Sequence, residues 1–493
     1  MSYKHKKAKD GFNSQSMLST ISLCLLMSAC SNDDMSTADK LLSEVKAAGL
    51  TGDPTAGRTL PSINDPKAQL GKKLFFTKGL GGDSDSACVS CHHPSLGGGD
   101  NLSLSIGVGA ETPDLLGPGR FHDSTATNYD GGPTVPRNAP TTFNIALWDQ
   151  VLFLDGRVES LGKTEGVNGD DDLGIRTPDS AFGVADPDAG ANLSAAQSRF
   201  PVTSPEEMRG FTFEAGNPND LLRIALEEKL TAFGGWDAEF TKAYGDATIT
   251  YERIADAIGE YERSQVFINS PWKAFLEGNE NAISELAKRG AMKFFRRIED
   301  GGANCVSCHS GDFFTDEQFH VLATPQIGRG KGDNNGTLAS DDFGRERETK
   351  DAADRYKFRT PTLLNVEVTG PWGHAGGYTT LTGMVRHMLN PEQAIANYDF
   401  GQLDPTIQAY DMLTNTQFAL DQLALNRTSN VDGVHRNVVF TEFDVINLVE
   451  FLKTLTDPCV KDRACLAPWI PDAGDTNPDT LRVNAIDNTG SFL

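Results

Sequence analysis

The chain has 493 residues, 38% of them hydrophobic, with 49 glycines and a net charge of −24. That length is too great for one small domain and suits two domains with insertions. So acidic a chain argues against nucleic acid as a partner and would attract a basic protein at low salt.

The first elements concern export. Lys4, Lys6, Lys7 and Lys9 precede an apolar-to-small run over 17–29, too short to cross a bilayer. The run ends Leu26-Met27-Ser28-Ala29-Cys30, small residues before a cysteine, as in a bacterial lipobox, although Met27 is an imperfect match. Residues 1–29 are expected to be a lipoprotein-type signal peptide, with Cys30 lipidated and anchored to a membrane. Plain signal cleavage is the alternative. Either way the chain is expected to be exported, as a periplasmic protein or an outer-membrane lipoprotein of a Gram-negative-type bacterium. Loss of 1–29 removes four lysines and one aspartate, which makes the mature chain three charges more negative.

Residues 30–62 are polar and read as a tether. Leu70-Gly71-Lys72-Lys73-Leu74-Phe75-Phe76 predicts a helix, followed by Cys88-Val89-Ser90-Cys91-His92 and a glycine-rich stretch over 97–109. Residues 162–200 carry Asp170-Asp171-Asp172 with several Gly and Pro and read as an inserted, solvated loop; calcium binding by the acidic run is the alternative. Residues 218–268 are helical in pattern, with Leu221, Leu222, Ala225 and Leu226 on one face and Ile254, Ala257, Ile258 and Tyr261 on another. A helix over 284–295 leads to Cys305-Val306-Ser307-Cys308-His309. A polar loop, 328–347, precedes Phe358-Arg359-Thr360-Pro361-Thr362, and helical patterns return over 381–389 and 442–455. Cys459 and Cys465 remain in the 458–493 tail and are expected to close a small disulfide loop.

C-x-x-C-H is the attachment site of c-type haem: two thiols bond the porphyrin vinyl groups and the imidazole faces the iron. A zinc or redox pair is the alternative for one C-x-x-C. It suits two identical motifs in an exported chain poorly, each with a His directly after the second Cys. Two covalent haems are therefore expected, at Cys88, Cys91 and His92 and at Cys305, Cys308 and His309, and the function is electron transfer, redox catalysis or both. Each motif follows an apolar helix and precedes a loop and a further helix. The fold class is expected to be mainly α, with two cytochrome-c-like haem domains and long irregular loops. Their ranges are 63–275, including the insert 162–200, and 276–457.

Several segments together resemble the bacterial di-haem cytochrome c peroxidases and their MauG-type relatives: the 70–76 helix, both haem motifs, Arg137-Asn138-Ala139-Pro140-Thr141, Asp155-Gly156-Arg157, Glu206-Glu207-Met208 and Thr369-Gly370-Pro371-Trp372-Gly373-His374. The resemblance covers most of 65–456. It implies that electrons enter at the C-terminal haem, ligated by His309 and a distal Met, and that peroxide reacts at the N-terminal haem, ligated by His92. Family spacing from His374 lands on Met388, with the adjacent His387 as rival; successive helical residues point about 100° apart, so only one can face the iron. A thioether ligand raises the haem potential, as an electron-accepting site requires. MauG-type relatives carry Tyr at this position.

At the first haem the family's capping His, in Ser-Ile-Gly-His-Gly, is replaced in Ser105-Ile106-Gly107-Val108-Gly109. Valine cannot ligate iron, so an open first site that needs no reductive priming is expected. His122, and after it His93, are the alternative caps; a surface-loop role is the plainer reading of His122. Glu207 matches the family's distal acid, whose chemistry is proton transfer between the two peroxide oxygens; the neighbouring Glu206 leaves the register open. The resemblance further implies a Ca²⁺ held by Asn138 and the carbonyls of Thr369 and Pro371, and, more faintly, a homodimer. In this resemblance Leu154 stands in place of the family's inter-haem tryptophan, with Trp148 nearby. The function so implied is reduction of hydrogen peroxide to water with electrons from a small cytochrome c or copper protein. The alternatives are a MauG-like oxidase acting on a protein or organic substrate, and a non-catalytic electron relay.

Overall fold

The computed structural model describes residues 36–126, 128–213, 218–333, 340–431 and 433–493. The signal segment 1–29 and Cys30 lie outside these residues. Helices dominate: α1 (Thr37–Ala47), α2 (Pro66–Phe75), α3 (Leu193–Ser198), α4 (Asn219–Phe233), α5 (Trp236–Tyr244), α6 (Tyr251–Arg263), α7 (Pro271–Leu276), α8 (Glu285–Phe295), α9 (Glu346–Thr349), α10 (Leu381–Leu389), α11 (Pro391–Ala396), α12 (Met412–Thr428), α13 (Glu442–Lys453) and α14 (Arg463–Leu466). The strands are short. β1 (Val151–Leu152), β2 (Val158–Ser160) and β3 (Ile175–Arg176) form one antiparallel sheet, and β4 (Phe319–Val321) pairs β5 (Lys357–Arg359) with His320 opposite Phe358. Among the described residues no helix is long and apolar enough to cross a membrane.

Two helix crossings, alike in detail, organise the chain. α2 starts with Pro66 in its first turn, where the missing N–H costs no hydrogen bond, and lies across α6, whose N-cap Thr250 accepts from Arg253 N. A Cβ on Gly71 would stand 1.9 Å from Ala257 O and 2.8 Å from Tyr261 Cβ. α8, capped by Ser284, lies across α13, which opens on a Thr441–Asp444 capping box. There a Cβ on Gly290 would stand 1.9 Å from Asn447 O and 2.9 Å from Phe451 Cβ. Only glycine permits either approach. Each crossing anchors one haem motif: Cys88–Ser90 and Cys305–Ser307 both form a single 3₁₀ turn a short distance after α2 and α8.

Two differences from the sequence reading concern packing. The 30–62 stretch, read as a tether, contains α1, with a capping box of Ser36 and Asp39 and with Leu41 and Val45 fully buried against the core that holds Phe294, Phe314 and Phe451. One narrow apolar stripe is enough to dock a short helix, and the polar remainder hid it. The 162–200 insert is likewise packed: Ile175, Leu193 and Ala196 join Ile145, Trp148 and Val158 in a buried cluster. The helical 218–268 region is three helices, α4 to α6, broken at Gly234-Gly235 and around Gly245, each of which has positive φ. In the tail Cys459 and Cys465 form a disulfide, and Val460, Leu466, Ile470 and Val483 close the core built on α2 and α6.

Candidate active site and its two cavities

Both C-x-x-C-H turns deliver the same donor set. The Nδ1–H of His92 donates to Gly98 O at 3.2 Å, and that of His309 to Phe314 O at 3.0 Å. Each bond fixes the tautomer and leaves Nε2 free to face a metal. Cys88, Cys91 and His92 line a cavity of about 110 Å³; Cys305, Cys308 and His309 line one of about 750 Å³. All four thiols are unpaired. Burial pushes those of Cys88, Cys91 and Cys305 upward, opposite to what a reactive dithiol needs. Two cavity-facing thiols beside an anchored imidazole, twice over, are a donor set that fits covalent haem and suits a redox pair poorly. Among the described residues the one cluster close enough to hold an ion with side chains alone is Cys308, Asp316 and His320.

Glu207 lines the first cavity and Glu206 does not. The Pro205–Arg209 turn separates them: Ser204 Oγ accepts from Glu207 N at 3.3 Å. Glu206 turns out, bonded to Ser204 Oγ at 3.1 Å and 3.8 Å from Arg329. Glu207 Oε1 lies 4.0 Å from Arg157 Nη2. Burial raises its carboxyl above the usual glutamate range, with Arg157 and Lys331 opposing. The Ser105–Gly109 segment is the bed of this acid. A Cβ on Gly107 would stand 2.4 Å from both Glu206 O and Glu207 O, and Val108 N donates to Glu206 O at 3.2 Å.

Neither alternative cap reaches the first cavity. His122 bonds Gly132 O through Nδ1 at 3.2 Å and Asn128 Nδ2 lies 3.4 Å from its Nε2. His93 accepts from Ser95 N and packs edge-on against Phe76. His92 is the one histidine in that lining.

On α10, Met388 faces the second cavity and His387 does not. His387 Nδ1 accepts from Tyr378 Oη at 2.9 Å and its Nε2–H donates to Leu322 O at 2.8 Å, so both ring nitrogens are engaged. Met384, one turn before Met388, lines the same cavity; sequence reasoning missed it, although the i, i+4 spacing was the available signal. Asn138, Thr369 and Pro371, expected around calcium, all line this cavity. Asn138 Nδ2 donates to Leu102 O at 2.8 Å and Ser103 O at 3.2 Å.

The cavities adjoin. His92, Asn138, Pro140, Phe153, Leu154, Gln197 and Glu262 belong to both linings. Leu154 therefore stands in the wall between the sites. Trp148 lines only the second, with Arg359 3.5 Å above its ring. A buried ion network braces the first site: Arg137 bonds Asp342 through Nε and Nη2 at 2.6 and 2.7 Å and Asp155 through Nη1 at 2.6 Å. Sequence reasoning also missed Lys331 and Glu262; Glu262 carried a signal, as an acid inside the apolar stripe of α6.

A duplicated helix crossing, with two C-x-x-C-H turns opening on adjoining cavities, defines a di-haem c-type redox protein. Residues 65–281 match the family model described as di-haem cytochrome c peroxidase. The chain is 26% identical over 369 residues to the methylamine utilization protein MauG of Methylorubrum extorquens, covering 74% of this chain and 80% of that one. It is 27% identical over 325 residues to the cytochrome c551 peroxidase of Nitrosomonas europaea, covering 66% and 73%. Among solved structures, a MauG-like protein associated with microbial copper homeostasis shares the fold with a TM-score of 0.54 at 20% identity, covering 85% of this chain and 97% of that one. The diheme peroxidase BthA of Burkholderia thailandensis does so with a TM-score of 0.53 at 21% identity, covering 87% and 92%. The match identifies residues 65–281 with the di-haem cytochrome c peroxidase family, and the relatives the chain resembles include both peroxidases and MauG-type proteins.

Proposed function

We propose that the protein reduces hydrogen peroxide to water, with electrons from a small cytochrome c or copper protein. In this reading 63–275 and 276–457 are two cytochrome-c-like haem domains. Electrons enter at the site of Cys305, Cys308, His309 and Met388 and pass across the shared wall to the site of Cys88, Cys91 and His92. The observation that carries the reading is Glu207: a half-buried acid on the wall of the first cavity, whose lining holds no histidine but His92.

Bound haem supplies the iron centre at which peroxide is reduced and the oxidising equivalents are stored. The chain supplies the proton transfers. The carboxylate of Glu207 takes the proton of one peroxide oxygen and returns it to the other, so that the O–O bond breaks with water as leaving group. Two electrons and two protons then balance one peroxide against two waters. Arg157, held by Asp155 at 3.2 Å, keeps a positive charge beside Glu207 and so limits how far burial raises its carboxyl. Asn138 with the carbonyls of Thr369 and Pro371 would hold a Ca²⁺ where the two halves meet, an oxygen donor set suited to that ion. Export through the signal segment, lipidation at Cys30 and a homodimeric assembly complete the proposal.

The kinship with MauG favours a second reading, in which the same open cavity oxidises a protein or an organic molecule. The deciding experiment mixes the fully oxidised protein with peroxide and a reduced small cytochrome c, with no pre-reduction step. Immediate, sustained turnover is expected. Turnover only after pre-reduction would mean that a ligand caps the first iron, and no turnover would favour the oxidase.

A further inference from the structure

The two helix crossings give the repeats a common frame. Gly71 meets Ala257 and Tyr261 of α6, and Gly290 meets Asn447 and Phe451 of α13. The residue after the crossing aromatic is Glu262 in the first repeat and Leu452 in the second. Both are buried, at 5% and 7% exposure; Glu262 lines the cavity of its own repeat and, from the shared wall, the second as well, whereas Leu452 lines the second alone. Leucine at this place is what packing alone requires. Glu262 instead brings a carboxyl whose Oε2 has no hydrogen-bond partner. Burial alone pushes that carboxyl up to about 8. An unpaired buried acid is costly, and the second repeat shows that the fold does without it.

The chemistry of such a group beside a redox centre is electrostatic. In a low-dielectric wall a carboxylate favours the more oxidised, more positive state of its neighbour; because burial holds Glu262 protonated near neutral pH, the effect is exerted once the carboxyl ionises, above about pH 8. Leu452 exerts none. We propose that Glu262 is a redox-tuning residue, which lowers the potential of the first haem relative to the second by placing an ionisable carboxyl where the second repeat has leucine. It favours the oxidised states that peroxide generates and leaves the Met388 site as the more readily reduced of the two. The inference rests on the reading that both cavities hold haem.

The test is a spectroelectrochemical titration, at about pH 9 where Glu262 is ionised, of the haem-loaded full chain in three variants. Glu262→Gln keeps the shape and removes the charge, Glu262→Leu copies the second repeat, and Leu452→Glu copies the first. Both Glu262 variants are expected to raise the midpoint potential of the first haem by more than that of the second, whose cavity Glu262 also lines, and Leu452→Glu to lower the second. Unchanged first-haem potentials in both Glu262 variants would overturn the proposal. So would a shift in the Leu variant alone, since it would assign the effect to packing. Haem content by the pyridine haemochrome assay separates the two failures. Fewer than two haems per parent chain would overturn the di-haem reading, and the tuning role with it.

Discussion

Asn144 and Asn365, one in each repeat, donate to the same carbonyl: Nδ2 of each bonds Phe267 O, at 3.2 and 2.9 Å. Both sit in left-handed backbone, at φ of 62° and 64°, a conformation asparagine tolerates better than other side-chain-bearing residues. Their Oδ1 atoms accept from Phe267 N at 2.7 Å and Asp457 N at 2.9 Å. The segment joining the repeats is thus held from both sides. Replacing either Asn by Ala should cost about 1–3 kcal/mol, the usual penalty for leaving buried polar groups unpaired. Because the acceptor is shared, the double variant should depart from additivity. Chemical denaturation of the haem-loaded protein measures both; strict additivity would mean that the shared carbonyl does not couple the two sites.

The α10 geometry predicts which side chain binds the second iron. The oxidised protein should show the near-infrared charge-transfer band of Met-ligated ferric haem. Met388→Ala should abolish it and Met384→Ala should keep it. The reverse pattern would move the ligand one turn back along α10.

Glu207→Gln should retain both haems and lose peroxide turnover by about 10²–10⁴-fold, the range of general acid–base catalysis. Glu206→Gln, which alters an outward-facing acid, should change turnover only slightly. Burial raises Glu207, and the proposed base is its carboxylate form. Activity should therefore fall, as pH is lowered, through a pKa above the ordinary glutamate value, and the Gln variant should lack that acid limb. Steady-state rates across pH show it; an unshifted limb common to parent and variant would belong to another group.

Arg137 is enclosed by Asp155 and Asp342, with both acids held below the usual carboxylate range despite the opposing effect of burial. Arg137→Ala leaves two buried carboxylates without their main cation and should destabilise the protein by about 3–5 kcal/mol. Thermal unfolding followed at the haem absorption band gives the value. A loss below 1 kcal/mol would mean that Arg157 and water replace the missing guanidinium.

The parts legible in the sequence were those whose chemistry is contiguous. Each haem motif needs two thiols and an imidazole within five residues, and the 70–76 and 284–295 helices carry their apolar spacing on the surface of the text. What stayed hidden depends on tertiary neighbours. Glu206 and Glu207 differ only in which way one turn faces. Met384 and Met388 are equivalent in sequence, and Lys331 sits in a polar loop that gives no hint of reaching the first cavity. α1 was concealed because only a narrow stripe, Leu41 and Val45, is apolar. The repeat frame itself was half-legible: the motifs announced the duplication, but the register that sets Glu262 against Leu452 comes from two glycines whose role appears only where helices touch.

The outermost described segments are exchanged between the halves. α1, ahead of the first repeat, docks on the core of the second, and the tail after the second repeat closes the core of the first. No single cut between the repeats yields two self-sufficient halves: the amino-terminal fragment would carry an apolar helix without its seat, and the carboxy-terminal fragment a tail without its socket. The two halves are strapped crosswise, like a parcel whose cords each start on one face and are tied on the other. Each can expand or separate only by lifting a terminal segment from its neighbour, so relative movement of the two redox sites is tied to the ends of the polypeptide as much as to the wall between them.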